Sequence, residues 1–431
     1  MGWKKDEIVR SGENVSGGKC VKETWKLLRL LPKATMIHIR KQLKRRDRGT
    51  IAGLCGAGVV LILLLVVIFT RLGRSNTAQK QTASVLSTEE AAEGSVQTVP
   101  EEPAAEPTPT PEPVSITLSF AGDCTLGSDQ SFGYEGSFTQ AYDNQEAEFF
   151  LNNVREIFEQ DDLTVVNFEG TITESDQRAD KSWAFKGPKE YTGILTSASV
   201  EAANLANNHS SDYGEQSLQD TRNALTEAGI VNFGFEETAI TEVRGVKVGL
   251  LGMYTVYEDD VYISQIQERI AKLKDDGAQV IVANFHWGLE MDYTPEADQV
   301  ELAHAAIDAG AHLVIGHHPH VLQGVEVYKG RYIVYSLGNF CFGGNSNPGD
   351  YDCMIFQQTF TVMADGPETD DAVRVIPCSL SAQTNYNNYQ PTPAEGEAET
   401  RILGKLRELS EGLGERNIFA QEAESGMEGS E

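Results

Sequence analysis

The sequence predicts a layered α/β domain, a mixed β-sheet with flanking helices, carried behind one N-terminal transmembrane helix. Three observations predict it. Apolar, β-branched runs of strand length alternate with amphipathic runs of helix length across the middle of the chain. A late pair of such runs is joined by Lys329-Gly330, the signature of a tight hairpin turn, so some antiparallel pairing is expected. And 20 consecutive residues without a charge, Ile51 to Thr70, precede all of this.

The chain has 431 residues and an uneven charge. Residues 1–50 carry 14 Lys+Arg against 5 Asp+Glu, while residues 51–431 carry 21 against 59, net charges of +9 and −38. The uncharged run between the two regions is about 30 Å long as a helix, one hydrocarbon thickness. Lys41, Lys44, Arg45, Arg46 and Arg48 crowd its N-terminal side, and only Arg71 and Arg74 follow closely. Positive charge stays inside, so residues 1–50 are expected to be a basic cytoplasmic segment and the rest to lie outside the cell. The alternative, a cleaved signal peptide, is disfavoured because the run begins 50 residues in and no small-x-small cleavage site follows it.

Residues 71–114 are rich in Pro, Glu and Thr, too polar to bury and biased to extended polyproline II, and are expected to form an extracellular stalk. The globular domain spans 115–382. Its expected strands are Ile116–Ala121, Leu163–Phe168, Val246–Tyr254, Gln279–Asn284 and His312–Gly316, with helices near 147–160, 215–228, 261–275 and 296–309. Residues 383–431 are expected to hold a helix near Thr400–Glu411 and an acidic, disordered tail. Outside the membrane, Cys124, Cys341, Cys353 and Cys378 lie where disulfides can form, and Cys341 with Cys353, flanking a Gly/Asn/Pro-rich loop, is the favoured pair.

Seven of the eight histidines lie between His209 and His320. Asp123, Glu169, Asn207-Asn208-His209, His286 and Gly316-His317-His318-Pro319-His320 each follow an apolar run, so their side chains are expected where buried strands end. Carboxylate and amide oxygens mixed with imidazole nitrogens suit a hard or borderline divalent ion, and two such ions can share a bridging carboxylate. Along an extended backbone His318 and His320, at i and i+2, would point to one side. His304 and His312 read as ordinary imidazoles, and Cys124 as a packed or bonded cysteine without the neighbours that activate a thiol. The chain has no G-x-S-x-G nucleophile elbow and no G-x-x-x-x-G-K-[ST] phosphate loop, which disfavours serine hydrolysis and ATP-driven synthesis.

In order, Ala-Gly-Asp-Cys, Val-Val-Asn-Phe-Glu-Gly, Ala-Asn-Asn-His-Ser-Ser-Asp-Tyr-Gly, Phe-His-Trp-Gly-Leu-Glu, Gly-His-His-Pro-His-Val-Leu-Gln-Gly and Tyr-Ser-Leu-Gly-Asn-Phe resemble the CapA family of capsule synthesis proteins over residues 115–382. The resemblance implies a variant of the calcineurin-like metallophosphoesterase fold and a role with poly-γ-glutamate or related capsular polymers. It implies Asp123 as the first-strand ligand, Glu169 as the bridging acid, Asn208 as a ligand and His209 as the residue assisting a leaving group. His286, His318 and His320 are the later ligands, and the extra histidine leaves His317 or His318 as the inner one. The Asp-x-His of the phosphoesterase pattern is here Asp123-Cys124-Thr125, so one ligand of the first motif is missing.

The expected function is therefore a membrane-anchored, surface-exposed, metal-binding protein in the synthesis, export or anchoring of an anionic capsular polymer. Its expected cofactor is a divalent ion, Mn, Mg, Zn or Fe. Its expected partners are the membrane, the polymer and a membrane-bound polymer synthase, and nucleic acid is disfavoured by the acidic ectodomain. Two alternatives stand beside it: an extracellular metal-dependent phosphoesterase acting on an envelope phosphodiester or nucleotide, and a non-enzymatic scaffold of the synthase.

Overall fold

The computed structural model describes residues 112–420, apart from 258, 260, 364–365 and 369–371. The expected transmembrane helix at 51–70, nearly all of the stalk and the end of the acidic tail lie outside the described residues. Among those described, no helix is long and apolar enough to cross a membrane.

The first sheet begins with β1 (Val114–Thr125), β2 (Leu163–Phe168), β3 (Ala202–Asn204) and β4 (Val231–Phe233), parallel neighbours in that order. A second sheet follows. In it β5 (Ala239–Val243) pairs antiparallel with β6 (Val246–Tyr254), and β7 (Val280–His286) and β8 (Leu313–His317) continue parallel to β6. The expected hairpin is present as β9 (Val325–Tyr328) and β10 (Arg331–Val334), with Lys329 and Gly330 both at positive φ in the turn, and β10 lies parallel to β8. The chain then returns to the first sheet. There β11 (Asn339–Phe342) flanks the end of β1, β12 (Asp352–Met363) lies antiparallel to β1, and β13 (Val373–Ser379) lies antiparallel to β12.

The expected layered α/β architecture with mixed pairing is thus present, divided between two sheets. Strand alternation explains the layers. Val280 and Val282 of β7 face the space between the sheets with Ile116, Leu118 and Phe120 of β1, while Ile281, Ala283 and Phe285 face outward. The outward face of the second sheet is covered by α2 (Tyr262–Asp275), whose Ile266, Ile270 and Leu273 recur at helical spacing, and by α3 (Ala297–Ala309). The outer face of the first sheet is covered by short helices between 138 and 196 and by α1 (Glu215–Glu227). Each fully buried Val, Leu, Ile or Phe contributes about 1.5–3 kcal/mol, so these three apolar clusters dominate the stability.

Three expectations change. The helix expected near 147–160 is two pieces, Glu148–Leu151 and Arg155–Glu159, because Asn152-Asn153 and β-branched Val154 hold helix poorly. The long strand β12 was not expected, since Gln357-Gln358 interrupt its apolar pattern; both are buried, and Gln357 Nε2 donates to Ser119 Oγ at 2.9 Å. All four cysteines are free and buried rather than bonded. Cys341 turns its sulfur to Tyr389 O at 3.4 Å, while Cys353 on β12 stands in register with Cys378 on β13. The C-terminal helix α4 (Glu397–Leu409) docks, placing Ile402 and Leu406 in the core between the sheets.

Candidate metal centre

The centre lies where β1, β2, β7 and β8 end. Alternation along β1 would send Gly122, not Asp123, to the inner face. An irregularity prevents this: Ala121 pairs with Val166 and Asp123 with Asn167, so Gly122 is one residue extra. Glycine is required there because a Cβ would stand 2.0 Å from Gly338 O. The bulge turns Asp123 inward, fully buried, and Asp123 N donates to Gly338 O at 3.1 Å. On β7 and β8, His286 and His317 end the strands in register with each other.

Glu169, just past β2, is the middle of the arrangement. It is fully buried, and neither carboxylate oxygen has a hydrogen-bond partner. Three imidazoles approach its Oε1: His286 Nε2 at 3.7 Å, His209 Nε2 at 3.9 Å and His320 Nε2 at 3.9 Å. Burial, only partly offset by His320, pushes the Glu169 carboxyl up to about 8. An isolated buried carboxylate costs several kcal/mol, a cost removed when a cation binds it.

Two ligand groups share Glu169. On one side are Asp123 and His320, with His320 Nδ1 at 3.1 Å from Asp123 Oδ2. Burial would raise the Asp123 carboxyl, but His317 and His320 outweigh it and hold it well below the usual range. Burial would likewise discharge His320, but Glu169 and then Asp123 raise it to about 10. On the other side are His286 and His318, rings 4.6 Å apart, and Asn208, whose Oδ1 is 2.7 Å from His286 Nε2. Burial lowers His286 far below its ordinary value and His318 to about 3, leaving both neutral, the form that binds metal. This donor set, oxygen and imidazole around an unpartnered buried carboxylate, fits one or two divalent cations held by Asp123, Glu169, Asn208, His286, His318 and His320.

Of His317 and His318, it is His318 that lies with Glu169 and His286 in one donor group. His317 instead faces Asp123, its Nδ1 at 3.4 Å from Oδ1. The extended backbone expected at 318–320 is absent, because β8 ends at His317 and both His318 (φ 97) and His320 (φ 56) lie in the left-handed region. Their rings converge through this bend, 5.7 Å apart, and strain of this kind collects at functional sites.

His209 is held differently. Its Nδ1 lies 2.7 Å from Asp212 Oδ2, and Asp212 is itself fixed by Lys181 Nζ at 2.7 Å and Phe185 N at 2.6 Å. Sequence reasoning had not singled out Asp212 or Lys181. It also passed over Asn167, which donates to Asp123 Oδ1 at 2.8 Å, Asn204, which donates to Asn167 at 3.0 Å, and Asn339, whose Oδ1 is 2.8 Å from His320 Nδ1. The available signal was their parity: Asn167 and Asn204 occupy inner-face positions of strands otherwise apolar. His304 and His312 are ordinary partners, His304 pairing with Glu326 at 2.8 Å and His312 Nδ1 accepting from Ile281 N at 2.9 Å. Burial pushes the Cys124 thiol up to about 12, so it is a packing residue.

The sequence profile described as "Bacterial capsule synthesis protein PGA_cap" matches residues 117–344. The chain is 31% identical over 253 residues to "Capsule biosynthesis protein CapA" of Bacillus anthracis, covering 53% of this chain and 60% of that protein. It is 32% identical over 253 residues to "PGA biosynthesis protein CapA" of Bacillus subtilis (strain 168), covering 53% and 63%. A "probable polyglutamine synthesis accessory protein" of Mycobacterium tuberculosis is 29% identical over 208 residues, covering 41% and 55%. The match thus spans about three fifths of the first two relatives.

Proposed function

The chain belongs to the bacterial capsule synthesis protein family, and on that premise we propose that it is a membrane-anchored, surface-exposed accessory protein in the synthesis, export or anchoring of an anionic capsular polymer, acting through bound divalent metal. Poly-γ-glutamate or a capsular polysaccharide is the polymer class, and a membrane polymer synthase is the partner. The relatives' names support the polymer, and the uncharged run at 51–70 with its basic flank supports the anchor. The observation that carries the metal is Glu169, a buried carboxylate with both oxygens unpartnered and three imidazoles around its Oε1.

Residues 51–431 carry a net charge of −38, which repels a polyanion. A bound divalent cation would supply the local positive charge that holds carboxylate or phosphate oxygens. Asp123, Glu169, Asn208, His286, His318 and His320 hold it, while Asn167 and Asn339 orient Asp123 and His320. The test is capture of poly-γ-glutamate by the full chain in detergent, with Mn²⁺ or with chelator, for wild type and His318→Ala. Capture is expected only from wild type with metal. Capture that survives both chelation and the substitution would overturn this role.

One observation favours a second reading, a metal-dependent phosphoesterase. Asp212 accepts the Nδ1 proton of His209 and so leaves Nε2 directed at the centre. Burial keeps this imidazole below its ordinary pKa, so its Nε2 is free to take a proton from the attacking water and then pass it to the leaving group. Under this reading hydrolysis of a chromogenic phosphodiester with added Mn²⁺ falls by about 10²–10⁴ in His209→Ala, the usual size of an acid–base contribution, with metal content unchanged. Absence of wild-type turnover across phosphodiester probes would leave the binding role alone.

A further inference from the structure

Glu290 is an acidic side chain at the rim of the centre that the reading above leaves without a role. It stands in the loop after β7, four residues beyond His286, exposed to solvent. Its carboxylate and ligand nitrogens of His318 and His320 all lie within 4.8 Å of one another.

The loop's path accounts for this position. Trp287 N donates to His317 O at 3.1 Å and Met291 N donates to Pro319 O at 2.9 Å, two backbone bonds that bracket Glu290 and tie its loop to the histidine loop. Gly288 (φ 74) and Met291 (φ 60) fold the segment back between those ties. Just beyond, Gln323 Nε2 donates to Asp292 O at 2.9 Å. A surface glutamate normally moves freely through water, whereas this one is carried on a backbone clamped to the residues it approaches.

Three donor groups then overlap. Glu169, His286 and His318 form one, Asp123, Glu169 and His320 another, and Glu290, His318 and His320 a third. The third shares one histidine with each of the others. Glu169 is buried and Glu290 is exposed, so the two carboxylates reach the histidines from the protein interior and from the solvent side. Hard divalent ions favour carboxylate oxygen, and each of the first two groups offers only three carboxylate or imidazole donors.

We infer that Glu290 is a further metal ligand of the centre, a carboxylate that closes it from the solvent side across His318 and His320. The inference rests on the metal-binding reading above. It places one ligand on the loop that the Trp287 and Met291 backbone bonds already hold against the histidines.

The test is titration of metal-free full chain in detergent with Mn²⁺ alone, followed by elemental analysis after dialysis, for wild type, Glu290→Ala, Glu290→Gln and Glu169→Gln. Both Glu290 variants are expected to lose one Mn²⁺ per chain or to weaken its binding by at least about tenfold. Their melting temperatures without metal should match wild type, because the side chain is exposed. Unchanged Mn²⁺ stoichiometry and affinity in both Glu290 variants, with binding lost in Glu169→Gln, would overturn this inference alone. Absence of Mn²⁺ binding in wild type would instead remove the metal-binding reading, and this inference with it.

Discussion

At Gly122 the chain carries one residue more than the strand beside it, and the side chain of Asp123 changes face as a result. In Gly122→Ala the new Cβ would meet Gly338 O, a backbone atom that cannot rotate away. The variant should lose about 1–3 kcal/mol or more in thermal or urea unfolding and bind Mn²⁺ more weakly. An unchanged melting temperature would show that the bulge tolerates a side chain. Glu169→Gln acts in the opposite sense on stability. It replaces an unpartnered buried carboxyl with a neutral amide, so the metal-free protein should melt no lower than wild type, while the rise in melting temperature on adding Mn²⁺ disappears. A metal-dependent rise that persists in Glu169→Gln would remove Glu169 from the centre. Asp123, Glu169, Asn208, His209, His286, His318 and His320 were all legible in the sequence, because each follows an apolar run whose end marks the sheet's edge. The choice between His317 and His318 was not legible, since it depends on two left-handed residues after the strand. Asp212, Lys181 and Glu290 come from loops, whose paths are set by distant hydrogen bonds rather than by local periodicity.

Among the elements, β2 and β6 match their expected limits residue for residue, because a strand buried on both faces is a continuous apolar run bounded by turns. The strand β12 was hidden because Gln357-Gln358 break its apolar run, and the partner that admits Gln357 to the interior, Ser119 on β1, is a tertiary fact. The docking of α4 is anchored by charge as well as by Ile402 and Leu406. Arg401 reaches Asp352 Oδ1 and Oδ2 with two bonds of 2.6 Å, and Lys405 adds a third contact at 3.1 Å. Burial would raise the Asp352 carboxyl, but Arg401 and Lys405 outweigh it and lower it below its usual 3.8. A carboxyl depressed in the folded state adds stability above its unfolded pKa and loses it as pH falls through the folded value. Arg401→Gln should therefore melt below wild type at neutral pH, and the gap should close as pH falls below about 4. A gap independent of pH would assign the arginine's effect to packing of its stem. Leu406→Ala, in contrast, should cost about 2–5 kcal/mol at every pH, since it empties a fully buried site.

For the whole domain, the stretch matched by the family profile and the unit that folds are different. The profile ends at residue 344, ahead of β12, β13 and α4. Without them β1 lacks a neighbour along the seven residue pairs from Val114↔Val362 to Phe120↔Phe356, and the core between the sheets loses Phe356, Phe360, Ile402 and Leu406. A chain ending at residue 344 should therefore give no dispersed amide spectrum, whereas one ending at residue 420 should give a folded one; a folded shorter chain would show that the first sheet closes without β12. The pairing of β1 with β12 also has a consequence in time. Thr117 and Thr359 hydrogen-bond at 2.9 Å across 242 residues. At synthesis rates of about 5–20 residues per second, β1 waits roughly 10–50 s for that partner. Throughout that interval a central strand is an open edge, able to pair with another nascent chain, and whatever shields it belongs to the cell rather than to this sequence.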